Sequence, residues 1–245
     1  MNTALITGAR GGVATAVADQ LHALGWTLLR VSRDVAGLDP ALGAVLGADV
    51  SSQDGAQAAL DAAHDQFGAP PTAVIHAAGS SLIAPIARTR VEQYRAVMAA
   101  NLDSAFFVAR AYAAAVQKAK QGGSLVLFSS VVARVGVANH AAIAAAKGGV
   151  EALTRALAAD FSSCGLRVNC IAPGLLRTPM TQRLIGNQAG AAQAAAQYPL
   201  GRHGEARDAA ELAVFLATTA SAWLTGQVIG LDGGFTAVRP YVKAG

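Results

Sequence analysis

The stretch 124–155, SLVLFSSVVARVGVANHAAIAAAKGGVEALTR, decides how the rest of the chain is read. It opens on an apolar run, Ser124–Ser129, preceded by Gly122-Gly123. A short run of that kind bounded by glycine reads as a buried strand. The alanine-rich stretch 141–162 follows, with Lys147 inside it and no proline to stop it, and reads as a helix. Ser130 thus stands at the C-terminal end of a strand that leads into a helix. Open α/β sheets place their chemistry at that edge.

Outward from this stretch, strands and helices alternate along the chain. Strands are expected at Thr3–Thr7, Trp26–Val31, a short run ending at Asp49-Val50, Ala73–Ala77, Leu125–Ser129, Leu166–Ile171 and Gln227–Leu231. Helices are expected at 12–25, 53–67, 89–118 as one long element, 141–162 and 205–219. Residues 34–47, with Gly37, Pro40, Gly43 and Gly47 as breakers, read as loop. Such alternation implies right-handed βαβ units and a parallel sheet. The expected fold is α/β: one domain over 1–245, a doubly wound Rossmann-type parallel sheet of about seven strands, with helices on both faces. Segment 179–200 is rich in Ala, Gln and Gly and ends at Pro199-Leu200. It reads either as an ordinary surface connection or as a lid over the cleft.

Composition narrows the function classes. The chain has 245 residues, 53% hydrophobic and 14% charged, enough for one large core and far from disorder. The net charge of +4 comes from scattered residues. Arg88, Arg90 and Arg95, the densest group, read as a solvated helix face, so no nucleic-acid partner is expected. No apolar run spans a bilayer, and MNTALITGAR lacks the basic start of a signal peptide, so the expected location is cytoplasmic with no membrane partner. Cys164 and Cys170 are then reduced thiols, and the five histidines lack metal-ligand spacing.

The stretch Thr7-Gly8-Ala9-Arg10-Gly11-Gly12-Val13-Ala14 joins the first strand to the first helix. Glycines there allow a tight turn and a close approach to a pyrophosphate, whose charge a helix N-terminus favours. At the end of the second strand a carboxylate would select NAD and an arginine NADP. The chain has Ser32-Arg33-Asp34, and the planar fork of Arg33 suits a 2′-phosphate, unless it is simply a solvated loop residue. Arg10 can add charge on the same side.

Taken together these motifs resemble the short-chain dehydrogenase/reductase family along essentially the whole chain. The family carries a serine, a tyrosine thirteen residues later and a lysine four after that. Ser130 and Lys147 fall in register, but Ile143 stands at the tyrosine position. The resemblance implies further roles: Gly8, Gly12 and Val13 at the phosphates, Asp49-Val50 against the adenine, and Ala78-Gly79 in the stretch where the family has NNAG. It also implies Asn101 in a proton relay and Pro173, Gly174, Leu176 and Thr178 near the nicotinamide. Ala14 replaces the third glycine, and His76 reads as structural. The expected activity is NADP(H)-dependent oxidoreduction of a small-molecule carbonyl, alcohol or activated C=C or C=N substrate, in a site without its tyrosine. The alternative is a non-redox protein on the same fold, either a regulatory or scaffold subunit or an enzyme of another reaction class. A homodimer or homotetramer is implied, with Ala109, Ala113, Ala145 and Ala152 allowing close helix approach. His140 and Tyr198 are weaker substitutes for the proton donor, and Tyr94 and Tyr112 read as packing residues. A tyrosine at position 143 is expected to face an open cleft.

Overall fold

The computed structural model describes residues 2–239. Its strands are β1 (Thr3–Thr7), β2 (Thr27–Ser32), β3 (Ala44–Gly47), β4 (Ala73–His76), β5 (Gly123–Phe128), β6 (Leu166–Pro173), β7 (Leu176–Arg177), β8 (Gly204–Glu205) and β9 (Val228–Leu231). Seven of them form one parallel sheet in the order β3-β2-β1-β4-β5-β6-β9, and β7 pairs with β8 as a small ribbon. The helices are α1 (Gly12–Ala23), α2 (Gln53–Phe67), α3 (Val91–Met98), α4 (Ser104–Ala119), α5 (Ala141–Phe161), α6 (Gln182–Ile185), α7 (Gln188–Ala195) and α8 (Ala206–Ala217).

The period-2 pleat explains the layering. Along β1, Leu5 faces one side, with Leu60 of α2 and Tyr112 of α4, while Ala4 and Ile6 face the other, with Val17 and Leu21 of α1 and Leu216 of α8. β5 divides in the same way, with Leu125 and Leu127 on one side and Val126 on the other. Strands buried on both faces read as continuous apolar runs, which is why the sequence marks them so clearly. Each fully buried Leu or Ile contributes roughly 1.5–3 kcal/mol.

Three expectations need correction. The third strand is Ala44–Gly47, inside the stretch read as loop, rather than a run ending at Asp49-Val50. It is a mostly exposed edge strand, and its apolar run, Ala44–Leu46, is only three residues long between the breakers Gly43 and Gly47. Gly43, at φ 119°, and the Arg30 guanidinium, which donates to the Asp39 and Gly43 carbonyls, shape its approach. The expected helix 89–118 is interrupted by a π-turn, Ala99–Asp103, between α3 and α4. There the Asn101 side chain donates to the Val97 carbonyl (2.8 Å) and the Ser104 hydroxyl to the Ala100 carbonyl (2.9 Å), and such side-chain bonds compete with the regular ladder. Lastly, Ala109 and Ala113 are buried in the core and cannot offer a subunit contact, whereas Ala145 and Ala152 are exposed. No helix among the described residues is long and apolar enough to cross a membrane.

Candidate active site and cofactor cleft

The C-terminal ends of β1, β4, β5 and β6 gather most of the residues singled out from the sequence. At the end of β5 the chain passes through Ser129 and then Ser130, whose extended backbone opens a short 3-10 turn, Val131–Ala133. The Ser130 hydroxyl caps that turn by accepting from the Val132 N–H at 3.4 Å. Ser129 points the opposite way, reaching Glu151 Oε1 at 3.0 Å and the Lys147 carbonyl at 3.2 Å. Arg134, just past the turn, donates to the same Glu151 oxygen at 3.2 Å and to the Val228 carbonyl of β9 at 2.6 Å. One buried carboxylate on α5 therefore grips the loop on both sides of Ser130. Sequence reasoning missed Ser129, Glu151 and Arg134; the signal was Glu151 one helical turn after Lys147.

Lys147 is 8% exposed, and its Nζ donates to the Phe128 carbonyl at 2.8 Å. Burial pulls its pKa down to about 8, because a desolvated ammonium loses hydration that one carbonyl does not replace. A β-carbon built on Gly79 would lie 3.6 Å from Lys147 Nζ and 2.9 Å from Asn101 Oδ1, so both polar groups border Gly79. Asn101 is buried in the π-turn, and its Oδ1 accepts from the Ser80 N–H at 3.3 Å.

His76, at the end of β4, is structural. The Ser104 hydroxyl already donates to Ala100, so at 3.1 Å from His76 Nε2 it accepts. Nδ1 then accepts from the Thr7 hydroxyl at 2.8 Å. Full burial pushes the ring down to about 3, with the Lys147 charge adding to the effect, so the ring is neutral.

Ile143 overturns one expectation. Its side chain is 4% exposed and packs with Val97 and Ala146 against Leu82, Met98, Leu102 and Val132. A tyrosine there would meet packed side chains, not an open cleft. The reason is the π-turn and the 3-10 turn, which carry Leu102 and Val132 onto the first turns of α5. The weaker substitutes are already bonded. His140 Nδ1 donates to the Ala138 carbonyl at 2.7 Å, and Tyr198 Oη accepts from the Leu175 N–H at 2.7 Å while its ring lies against Phe235. Tyr112 is fully buried and donates to the Pro71 carbonyl, while Tyr94 is half-exposed on α3.

The other end of the cleft is the β1–α1 loop. Gly8 has φ +70°, and a β-carbon there would lie 2.6 Å from the backbone of Ala78, so only glycine fits this crossing. The Gly11 N–H turns back onto the Gly8 carbonyl at 2.8 Å. α1 starts at Gly12 with no side-chain cap and no acidic residue in its first turn, which leaves the N–H groups of Gly12 and Val13 for an anion. Thr178 closes the opposite side, 3.3 Å from where a Gly12 β-carbon would be. Behind it the Pro173–Gly174 end of β6 is fixed by Gly174 N–H to the Leu231 carbonyl (3.0 Å), and Leu176 is buried.

At the end of β2, Ser32 is half-buried and Arg33 exposed. Val50 is buried, and Asp49 takes two bonds from Ser51 on Oδ1, which hold its carboxyl below the usual range with help from the Arg33 charge. Arg10 forms an ion pair with Asp34, the residue after Arg33. A glycine turn and an uncapped helix start after β1, with Arg10 in the same loop and Arg33 after β2, fit a nicotinamide dinucleotide.

Residues 8–236 match the family described as Enoyl-(Acyl carrier protein) reductase. The chain is 38% identical over 197 residues to the inactive 2-(S)-hydroxypropyl-CoM dehydrogenase 2 of Xanthobacter autotrophicus, covering 79% of this chain and 85% of that protein. A short-chain type dehydrogenase/reductase from Mycobacterium ulcerans superposes with a TM-score of 0.90 at 31% identity, over 97% of this chain and 90% of that one. ElxO, solved with NADP bound, shares the fold at a TM-score of 0.90 and 22% identity, over 97% of this chain and 99% of its own.

Proposed function

The chain belongs to the short-chain dehydrogenase/reductase family, and we propose that it is an NADP(H)-dependent oxidoreductase acting on a small carbonyl, alcohol or activated C=C or C=N compound without a tyrosine proton donor. The observation that carries this reading is the shared edge of the sheet. The uncapped start of α1, Arg33 and Thr178 lie at the same strand ends as Ser130, Lys147 and Asn101.

A bound nicotinamide would supply or take the hydride. Gly8, Gly12 and Val13 hold the pyrophosphate, Arg33 with Ser32 and Arg10 the 2′-phosphate, and Asp49 with Val50 the adenine. Ala78, Gly79, Pro173, Gly174, Leu176 and Thr178 line the path to the nicotinamide, and Lys147 also anchors its ribose. Ser130 donates to the substrate oxygen. Ile143 can neither give nor take a proton, so Lys147, whose pKa of about 8 leaves it mostly charged at neutrality, supplies it, with Asn101 ordering water beside it. The whole chain works as one domain in the cytoplasm, with 179–200 as the lid and exposed Ala145 and Ala152 in a homo-oligomer contact. A second reading, a cofactor-binding protein without turnover, draws support from the burial of Ile143 and from the word inactive in the relative's name.

Fluorescence titration with NADPH and NADH tests the cofactor assignment. NADPH should bind tighter, and Arg33→Ala should remove most of the difference. A charge-assisted hydrogen bond of about 1.5–3 kcal/mol corresponds to roughly 10- to 150-fold in affinity. Equal binding of the two cofactors by the native protein would contradict the assignment.

A further inference from the structure

Resting on the NADP(H) reading, we infer that Asp34 is a built-in competitor for the 2′-phosphate, occupying Arg10 and setting how strongly the protein prefers NADP(H) over NAD(H). Arg10 leaves the glycine loop and Asp34 follows the end of β2, 24 positions later, and the two form an ion pair across the mouth of the cleft. The carboxylate is not free to swing away. Its Oδ1 accepts from the Ala36 N–H at 2.9 Å, an Asx turn that holds the second oxygen toward Arg10. Both side chains are about half exposed, at 51% and 59%, so a ligand reaches the pair from solvent.

The consequence is selective. A 2′-phosphate entering beside Arg33 must either take Arg10 from Asp34 or bind against a fixed like charge. A ribose that carries only a 2′-hydroxyl brings no charge and feels neither demand. Arg33, exposed at the end of β2, is not part of that ion pair. Removing the Asp34 charge therefore frees Arg10 for the phosphate and leaves the unphosphorylated cofactor unaffected. The pair is exposed, so the effect is modest and falls with added salt: about 5-fold in affinity at low ionic strength.

Asp34→Asn tests this, because the asparagine oxygen can keep the turn to Ala36 while losing the charge. The native protein, Asp34→Asn, Arg10→Met and the double variant are titrated calorimetrically with NADPH, NADH and 2′,5′-ADP. Asp34→Asn should tighten NADPH and 2′,5′-ADP by about 5-fold and change NADH less than twofold, and the gain should vanish in the Arg10→Met background. An unchanged or lowered NADPH-to-NADH preference in Asp34→Asn overturns the inference, as does a gain that persists without Arg10. Equal binding of both cofactors by the native protein, with a shift toward NADPH in Asp34→Asn, overturns the cofactor assignment and supports the role of Asp34.

Discussion

Ile143 and Lys147 stand one turn apart on α5 in opposite surroundings: Ile143 sits in an apolar cluster with Val97, Leu82 and Val132, while Lys147 Nζ donates 2.8 Å to the Phe128 carbonyl beside Gly79 and Asn101. Residues four apart share a helix face. Here that face changes character within one turn, from packed hydrocarbon to a desolvated ammonium. A tyrosine hydroxyl next to that ammonium would have its pKa lowered; isoleucine leaves the charge without a side-chain acid to act on.

Ile143→Tyr inserts a larger side chain into a filled cluster and should destabilise the protein by about 1–3 kcal/mol. Pairing it with Val132→Ala should recover much of the loss. The paired variant should then reduce activated carbonyls with NADPH roughly 10²-fold faster than the native protein, the lower end of a general-acid contribution. Thermal melts and NADPH oxidation check the two halves. A single variant as stable as the native protein would show that the cluster is not packed as described.

Lys147 gives a pH signature of stability. Its folded pKa, about 8, lies below the ordinary 10.5, so between those values the unfolded chain binds more protons than the folded one. Stability from this group therefore rises with pH across that window, and the full cost, on the order of 3 kcal/mol, applies below pH 8. Lys147→Met should raise the melting temperature at neutral pH and lose its advantage as the pH approaches 10.5. An advantage that does not change with pH would place the effect elsewhere.

His76 acts on the acid side. Its folded pKa of about 3 lies below the ordinary 6.5, so stability falls as pH drops through that window, by an amount on the order of 4–5 kcal/mol. Urea unfolding at pH 7 and at pH 4 measures the slope. His76→Asn removes the titration and should flatten it, at a cost at pH 7 of about 1–3 kcal/mol for the bonds to Thr7 and Ser104 that it fails to remake.

The sheet was legible because most of its strands are buried on both faces and show as apolar runs between glycines. β3 escaped because its apolar run, Ala44–Leu46, is only three residues long and sits among the breakers Pro40, Gly43 and Gly47. The break in 89–118 escaped because the bonds from Asn101 and Ser104 to the backbone depend on local geometry, not on residue spacing. At the candidate site, Ser130, Lys147 and the glycine loop could be read from position along the chain. The Glu151 grip on Ser129 and Arg134, and the Arg10–Asp34 pair, join residues between 17 and 24 positions apart and needed the fold to bring them together.

On the proposed reading a redox site survives without the tyrosine, with Lys147 as its proton source. The most direct test is NADPH oxidation by the native protein against a panel of carbonyl, imine and activated-alkene acceptors, measured below and above pH 8 and repeated with Lys147→Met. The account predicts slow turnover of at least one acceptor that declines as pH rises through about 8, where Lys147 loses its proton, and that is abolished in Lys147→Met. A native protein that binds NADPH and oxidises none of it on any acceptor, or whose turnover survives Lys147→Met with the same pH profile, would contradict it.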